Sequence, residues 1–264
     1  MAADALVHSH SPSHLVGVRK IGFEDLKIAL RQGFDDYRAK RGEMLFLGLL
    51  YPIVGLVACG ITFGRVDLLP LAFPLVAGIT LMGPPMASGF YELARRREQG
   101  EDAGWKYALD VFKNPPFASI AVLTLFMAAL FGLWLLCAWA VYSATLGADP
   151  PGDTLEFWSR LFGSPQGWTM IVVGNLVGAA FAVAAMAVSA ISFPMLVDRH
   201  HGPLTSAETS LRVTANNPVT MGTWGLIVAF LLVLGSIPLF IGLAVVLPVL
   251  GYATWHLYTR AVER

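Results

Sequence analysis

The sequence predicts an all-α, polytopic membrane protein of six transmembrane helices arranged as three hairpins, each preceded by a cytoplasmic amphipathic helix. Three observations carry this. Hydrophobic residues make up 56% of the 264 and charged residues only 14%, where a soluble domain has about a quarter charged; mean hydropathy is +0.63. Six apolar stretches recur, roughly Met44–Phe63, Leu68–Leu93, Phe117–Leu146, Gly167–Val197, Val219–Gly235 and Pro238–Leu257. Most offer the ~20 residues that a helix rising about 1.5 Å per residue needs to cross about 30 Å of hydrocarbon. Finally, if helix follows helix across the bilayer, 16 of the 18 Lys and Arg fall on one side, leaving only Arg65 and Arg160 opposite. Basic residues are retained in the cytoplasm, so both termini are expected inside.

Residues 1–20 are rich in His, Ser and Ala and predict a disordered arm before a single membrane domain, 21–264, with hairpins over about 43–93, 117–198 and 219–258. No charged n-region followed by an apolar run opens the chain, so no cleavable signal peptide is expected and the first span serves as an anchor. These features fit a bacterial inner membrane. The arm leads into FEDLKIALRQGFDDYRAKRG, where Phe23, Leu26, Leu30, Phe34 and Tyr37 recur at helical spacing. Acids open this helix and Arg38, Lys40 and Arg41 close it, the order its macrodipole favours. It is expected to lie on the inner leaflet, apolar face down.

A second preface, Trp105, Ala108, Leu109 and Phe112, precedes the breaker Asn114-Pro115-Pro116. A third begins with Thr205-Ser206-Ala207-Glu208, which reads as a capping box, carries Leu211 on its face and ends at Asn216-Asn217-Pro218. Each even-numbered span has proline shortly before its cytoplasmic end, Pro84 and Pro85, Pro194 and Pro248. Each is expected to kink or loosen its helix by removing an intrahelical hydrogen bond. Together the breakers and prolines suggest a degenerate threefold repeat. The third loop, 147–166, contains Leu155, Trp158, Leu161 and Phe162 as a short interfacial helix on the outer face, with aromatic anchors.

Polar residues inside lipid are the informative ones. Asn175 lies beside Gly174 and Gly178, with Ala182 and Ala190 on the same small-residue face; such faces let helices approach closely and a buried Asn bonds across the contact. Glu92, Asp198 and His256 lie downstream of the three prolines. Ionisable groups near membrane depth are functional candidates, and a polar cluster at the inner mouth, with Arg95 and Arg199 pairing the two carboxylates, is the expected arrangement. Interface solvation or local pairing is the plainer alternative. His8, His10 and His14 offer at most a weak induced metal site, and His200-His201 has no third ligand nearby. Cys59 and Cys137 fall in separate spans and read as packing residues. No phosphate loop, nucleophile elbow, His-Glu-x-x-His or paired cysteines appear, so catalytic, cofactor and metal sites are all expected to be none. Nor is the chain basic enough for nucleic acid.

The runs GPPMASGFYELARRREQGED, WKYALDVFKNP, SFPMLVDRH, NNPVTMGTWGL and PVLGYATWHLYTR resemble an uncharacterised bacterial family of six-helix integral membrane proteins. Some of its members carry the label of putative cytochrome c oxidase subunit I. A haem-copper catalytic subunit needs six histidines in its spans, and here only His256 comes near one, so this chain is not expected to be that catalyst; the resemblance implies a six-helix inner-membrane protein with no established activity to transfer, and an accessory or assembly role beside a respiratory complex survives as an association only. The reading is therefore a non-enzymatic protein that works by interaction, in contact with lipid and with other membrane subunits. A small-solute or ion permease using the mouth around Glu92, Asp198 and His256 is the alternative.

Overall fold

The computed structural model describes residues 16–39, 50–63, 65–81, 83–113, 117–147, 149, 151–199 and 201–264. Among them all regular structure is helical, save one antiparallel bridge between Val18 and Val262. The α-helices are α1 (Phe23–Ala39), α2 (Leu50–Phe63), α3 (Ala72–Leu81), α4 (Gly83–Met86), α5 (Ser88–Glu98), α6 (Phe117–Thr145), α7 (Thr154–Gly163), α8 (Pro165–Ser189), α9 (Ser192–Asp198), α10 (Pro203–Asn216), α11 (Pro218–Ser236) and α12 (Leu243–Ala261). Two 3-10 helices, Val66–Leu71 and Trp105–Phe112, complete the set.

Among the described residues three helical runs are long and apolar enough to cross a membrane: Phe117–Thr145, Pro165–Asp198 and Pro218–Ser236. Their outward side chains are large and apolar, Leu125, Leu136, Leu176 and Leu226 each being about two-thirds exposed or more. Lipid is the solvent such faces require. The other expected spans take different forms. Of the first, 44–49 lies outside the described residues. The second is helical over Ala72–Leu81 and Gly83–Met86 among the described residues, and a turn at Ala87, just past Pro84 and Pro85, separates it from α5. The sixth enters its helix only at Leu243, after a turn in which Leu239 and Phe240 take left-handed backbone angles and Gly235 meets Gly242 so closely that a Cβ on either would clash.

The fully buried core lies at one end of these helices, where α1, α5, α9, α10 and the second half of α12 pack together. Trp224, Trp255, Tyr258 and Phe193 are its largest members. α12 is its centre: α1 runs antiparallel along it, with Asp25 beside Arg260 and Gly33 against the backbone of Ala253, while Phe90 of α5 closes on Gly251 and stands edge-on to Tyr252. Close approach explains a difference from the expected stripe. α1 buries Leu26, Ala29, Gly33 and Tyr37, whereas Phe23 and Phe34 stay exposed. α1 thus packs against α12 through its small residues, and only part of the large apolar stripe is used.

The other two prefaces also differ. Trp105–Phe112 is a 3-10 helix, so period three sets Ala108 and Val111 together on the buried side and Leu109 off it, while Trp105, in the same row at the first residue, stays exposed. In α10 the helix starts at Pro203 after Gly202 with no side-chain cap, one turn ahead of the expected capping box. Its buried face is Ser206, Thr209, Ser210 and Val213, and Leu211 is exposed. Ser210 has a specific task. Pro194 has no N–H to offer Ala190, and the helix breaks at Ala190-Ile191; Ile191 N donates to the Ser210 hydroxyl at 3.2 Å, which donates to Ala187 O at 2.7 Å. Pro248 behaves differently, sitting in the second turn of an uninterrupted α12. Two of the three proline sites therefore interrupt a helix and the third does not.

Residues 16–20 depart from the expected disordered arm, whose first 15 residues lie outside the described residues. They form an extended strap. Arg19 N donates to Ala261 O and Glu263 N to Gly17 O, while Asn217, expected as a helix breaker, accepts from Ile21 N at 3.0 Å and donates to Arg19 O and Val213 O. Thr220 donates to Ile21 O. At the opposite end of the molecule Leu69, Tyr142, Leu146, Phe157 and Leu161 make a small second core under α7, capped by Asp153.

Candidate functional site

α5 organises the charged groups of the large core. Its sequence SGFYELARRRE places Glu92 on the buried side and three arginines in the last turn, where the helix C-terminus favours cations. Three polar nodes radiate from it.

At the first node, the Glu92 side chain is 3% exposed. It accepts two bonds from Arg95, at 2.8 and 2.7 Å, and one from Arg96 at 2.9 Å. Arg95 also donates to Gln99 at 2.7 Å. Arg96 reaches Asp110 at 3.2 Å and covers the ring of Tyr107 at 4.2 Å, tying the 3-10 helix to α5. The hydrogen-bonded Glu92 carboxylate holds the Arg95 guanidinium above its ordinary value.

At the second node Asp198, at the end of α9, accepts a bidentate pair from Arg264 at 2.9 and 2.9 Å and a bond from the Tyr258 hydroxyl at 2.7 Å. Arg264 also donates to Glu98, which accepts from Trp255 Nε1 at 3.2 Å. Burial first, and then the adjoining carboxylate, push the Tyr258 hydroxyl up, so it stays a donor. The bonds to Asp198 hold the Arg264 guanidinium up.

At the third node His256 bonds Asp36 of α1 at 2.7 Å, and the other Asp36 oxygen forms an ion pair with Arg97 at 3.0 Å. Glu92, Asp198 and His256 therefore all reach the end of the bundle where α5, α9 and α12 meet, each with its own partners and none bonded to another. Arg95 sits on Glu92 as expected. Arg199 stands 3.9 Å from Asp198 and is half exposed; the position expected for it is taken by Arg264. The pairing of Asp36, Glu98, Tyr258 and Arg264 is missed by reading the sequence, because their partners lie 60 to 220 positions away. Only the Arg95-to-Glu92 spacing on one helix announces itself locally.

The membrane-depth residues need correction. Asn175 is exposed and donates to Ile171 O of its own helix at 2.7 Å, so among the described residues it does not join α8 to a neighbouring helix. Space is open around Gly174, and Ala182 is exposed. Gly178 does pack, against Trp134 of α6, together with Ala185 and Ser189. His8, His10, His14 and His200 lie outside the described residues, as do the Asn114-Pro115-Pro116 breaker and the side chains of Thr62 and Thr80.

Residues 72–198, from α3 through α9, match the model of a family described as "Predicted integral membrane protein (DUF2189)". The match includes Glu92 with all three α5 arginines, Asp110 and Asp198. No curated protein and no solved structure matches the chain.

Proposed function

We infer that this integral membrane protein works by interaction, as a non-enzymatic accessory, assembly or envelope-organising factor of the bacterial inner membrane, with six spans in three hairpins and both termini cytoplasmic. The observation that carries the reading is the saturation of its ionic groups. Glu92 accepts from Arg95 and Arg96, Asp198 from Arg264 and Tyr258, and His256 Nε2 bonds Asp36, so among the described residues these three groups are engaged within the chain rather than held open for a solute. A permease needs polar groups aimed into a path, and five hydroxyls along the long helices are turned back on their own backbones. Thr124, Ser143, Thr145, Thr223 and Ser236 each donate to a carbonyl one turn earlier, the arrangement that hides a hydroxyl from lipid.

The charged cap and the 16 to 2 division of basic residues favour a cytoplasmic position for it. The exposed Trp105, Leu109, Leu204 and Leu211 on the same end suit contact with headgroups or with a neighbouring subunit. Solubilisation in a mild detergent, capture of the full chain and mass spectrometry of co-purifying proteins tests the reading. A stoichiometric membrane partner is expected, from a respiratory complex if the family label records a real association. Solute flux by the purified chain in liposomes, with no partner recovered, would replace interaction by transport.

A further inference from the structure

Asn175 is a polar side chain in the wrong solvent. It sits near the middle of α8, its amide satisfies only Ile171 O, and among the described residues nothing donates to its carboxamide oxygen. In water that oxygen would be hydrated; at mid-span in hydrocarbon it and the second N–H are left bare, which is costly. The neighbours on its side of the helix are Trp168, Val172, Ala179 and Ala182, all exposed. With Asn175 they follow at spacings of 4, 3, 4 and 3, the period of a seam between two helices in left-handed contact. Among the described residues none covers it. Only 6% of the most apolar window of this helix is buried inside the protein, against 22% for each of the other two long runs.

We propose that the seam through Asn175 is a homodimer interface whose occupant is α8 of a second copy. Copies inserted with one topology are related by an axis along the membrane normal, so residues of equal depth face one another. Asn175 then meets Asn175. A carboxamide carries both donor and acceptor, hence the contact is self-complementary across a twofold axis. The small Ala179 and Ala182 let the backbones approach on the cytoplasmic side of it, and Gly174 adds no bulk beside it.

Cross-linking of the full-length chain in native membranes tests this, with Cys59 and Cys137 replaced by Ser and one cysteine introduced at a time. Ala179→Cys and Ala182→Cys are expected to form disulfide-linked dimers under mild oxidation. Val173→Cys and Ala184→Cys, exposed on the far side of α8, are expected to form none. Asn175→Leu should weaken dimerisation roughly three- to tenfold at unchanged abundance, with Asn175→Gln recovering part of it. Native mass spectrometry of the unmodified chain in mild detergent should give twice 28.5 kDa. Equal cross-linking from both sides of the helix, an undiminished Asn175→Leu dimer, a solely monomeric native mass, or seam cysteines that join a different protein would each overturn the proposal.

Discussion

Replacing Glu92 by Gln separates a structural charge from a working one. The carboxylate is buried and receives three guanidinium hydrogen bonds, at 2.7, 2.8 and 2.9 Å. Gln keeps the shape, offers one acceptor oxygen in place of two, and its NH2 faces the Arg95 and Arg96 donors. Arg95, about one-fifth exposed, then loses its counter-charge in a largely dry site, while Arg96, equally buried, loses one carboxylate and keeps Asp110. Removing one partner of a buried pair costs about 3–5 kcal/mol; the partial exposure of the arginines argues for the low end, about 3 kcal/mol. That is a change of roughly 150-fold in the folded to unfolded ratio, enough to lower steady-state abundance several-fold. The assay is membrane abundance of a fluorescent fusion, with thermal aggregation of the detergent-solubilised protein alongside. Adding Arg95→Gln should restore part of the loss, since the second change removes an orphaned charge. Unchanged abundance and thermal stability in Glu92→Gln would refute the reasoning, and a simultaneous loss of solute flux would favour the permease.

Three other perturbations follow from the packing. Tyr258→Phe deletes the 2.7 Å bond to Asp198 and should cost about 1.5–3 kcal/mol. Because the folded-state hydroxyl is raised above its ordinary value, its contribution is complete below about pH 10 and is lost as pH rises beyond it; the stability gap between wild type and Tyr258→Phe should be constant at neutral pH and shrink above about 10. Gly33→Leu drives a side chain into the backbone of Ala253, 2.5 Å from where a Cβ would stand, and should destabilise by about 2–3 kcal/mol, read as a lower aggregation temperature, with Gly33→Ala milder. Asn217→Ala orphans Ile21 N and frees the strap, and should open residues 16–22 to protease in inside-out vesicles while the helical core stays resistant.

The helical class and the long apolar runs are legible because lipid demands them residue by residue: α6, α8 and α11 announce their spans through composition alone. Glu92, Asp198 and His256 are legible as a group at one end because each follows a proline in its own span. Their partners are not. Asp36 and Arg264 are ordinary charges until the chain folds and brings them to α5 and α9. α1 misleads for a different reason, since its tightest contact is made by Ala29 and Gly33, where a small residue lets α12 approach, and the conspicuous Phe23 and Phe34 are left outside. Asn217 looks like a terminator, and that is half its work; the other half, clamping the strap, depends on residues 196 and 198 positions away. Asn175 inverts the lesson: its helical surroundings suggest glue within the chain, and the structure turns it outward.

The most direct test of the account is the side of the membrane on which the α5 cap lies. In a chain whose Cys59 and Cys137 are replaced by Ser, single cysteines at Gln99, just past α5, and at Ser159, on α7, are both at exposed positions. An impermeant maleimide applied to intact cells with a permeabilised outer membrane should label Ser159→Cys and leave Gln99→Cys unlabelled until the inner membrane is opened. Labelling of Gln99→Cys in sealed cells would place the charged cap outside, and the cytoplasmic assignment of the termini would fall with it.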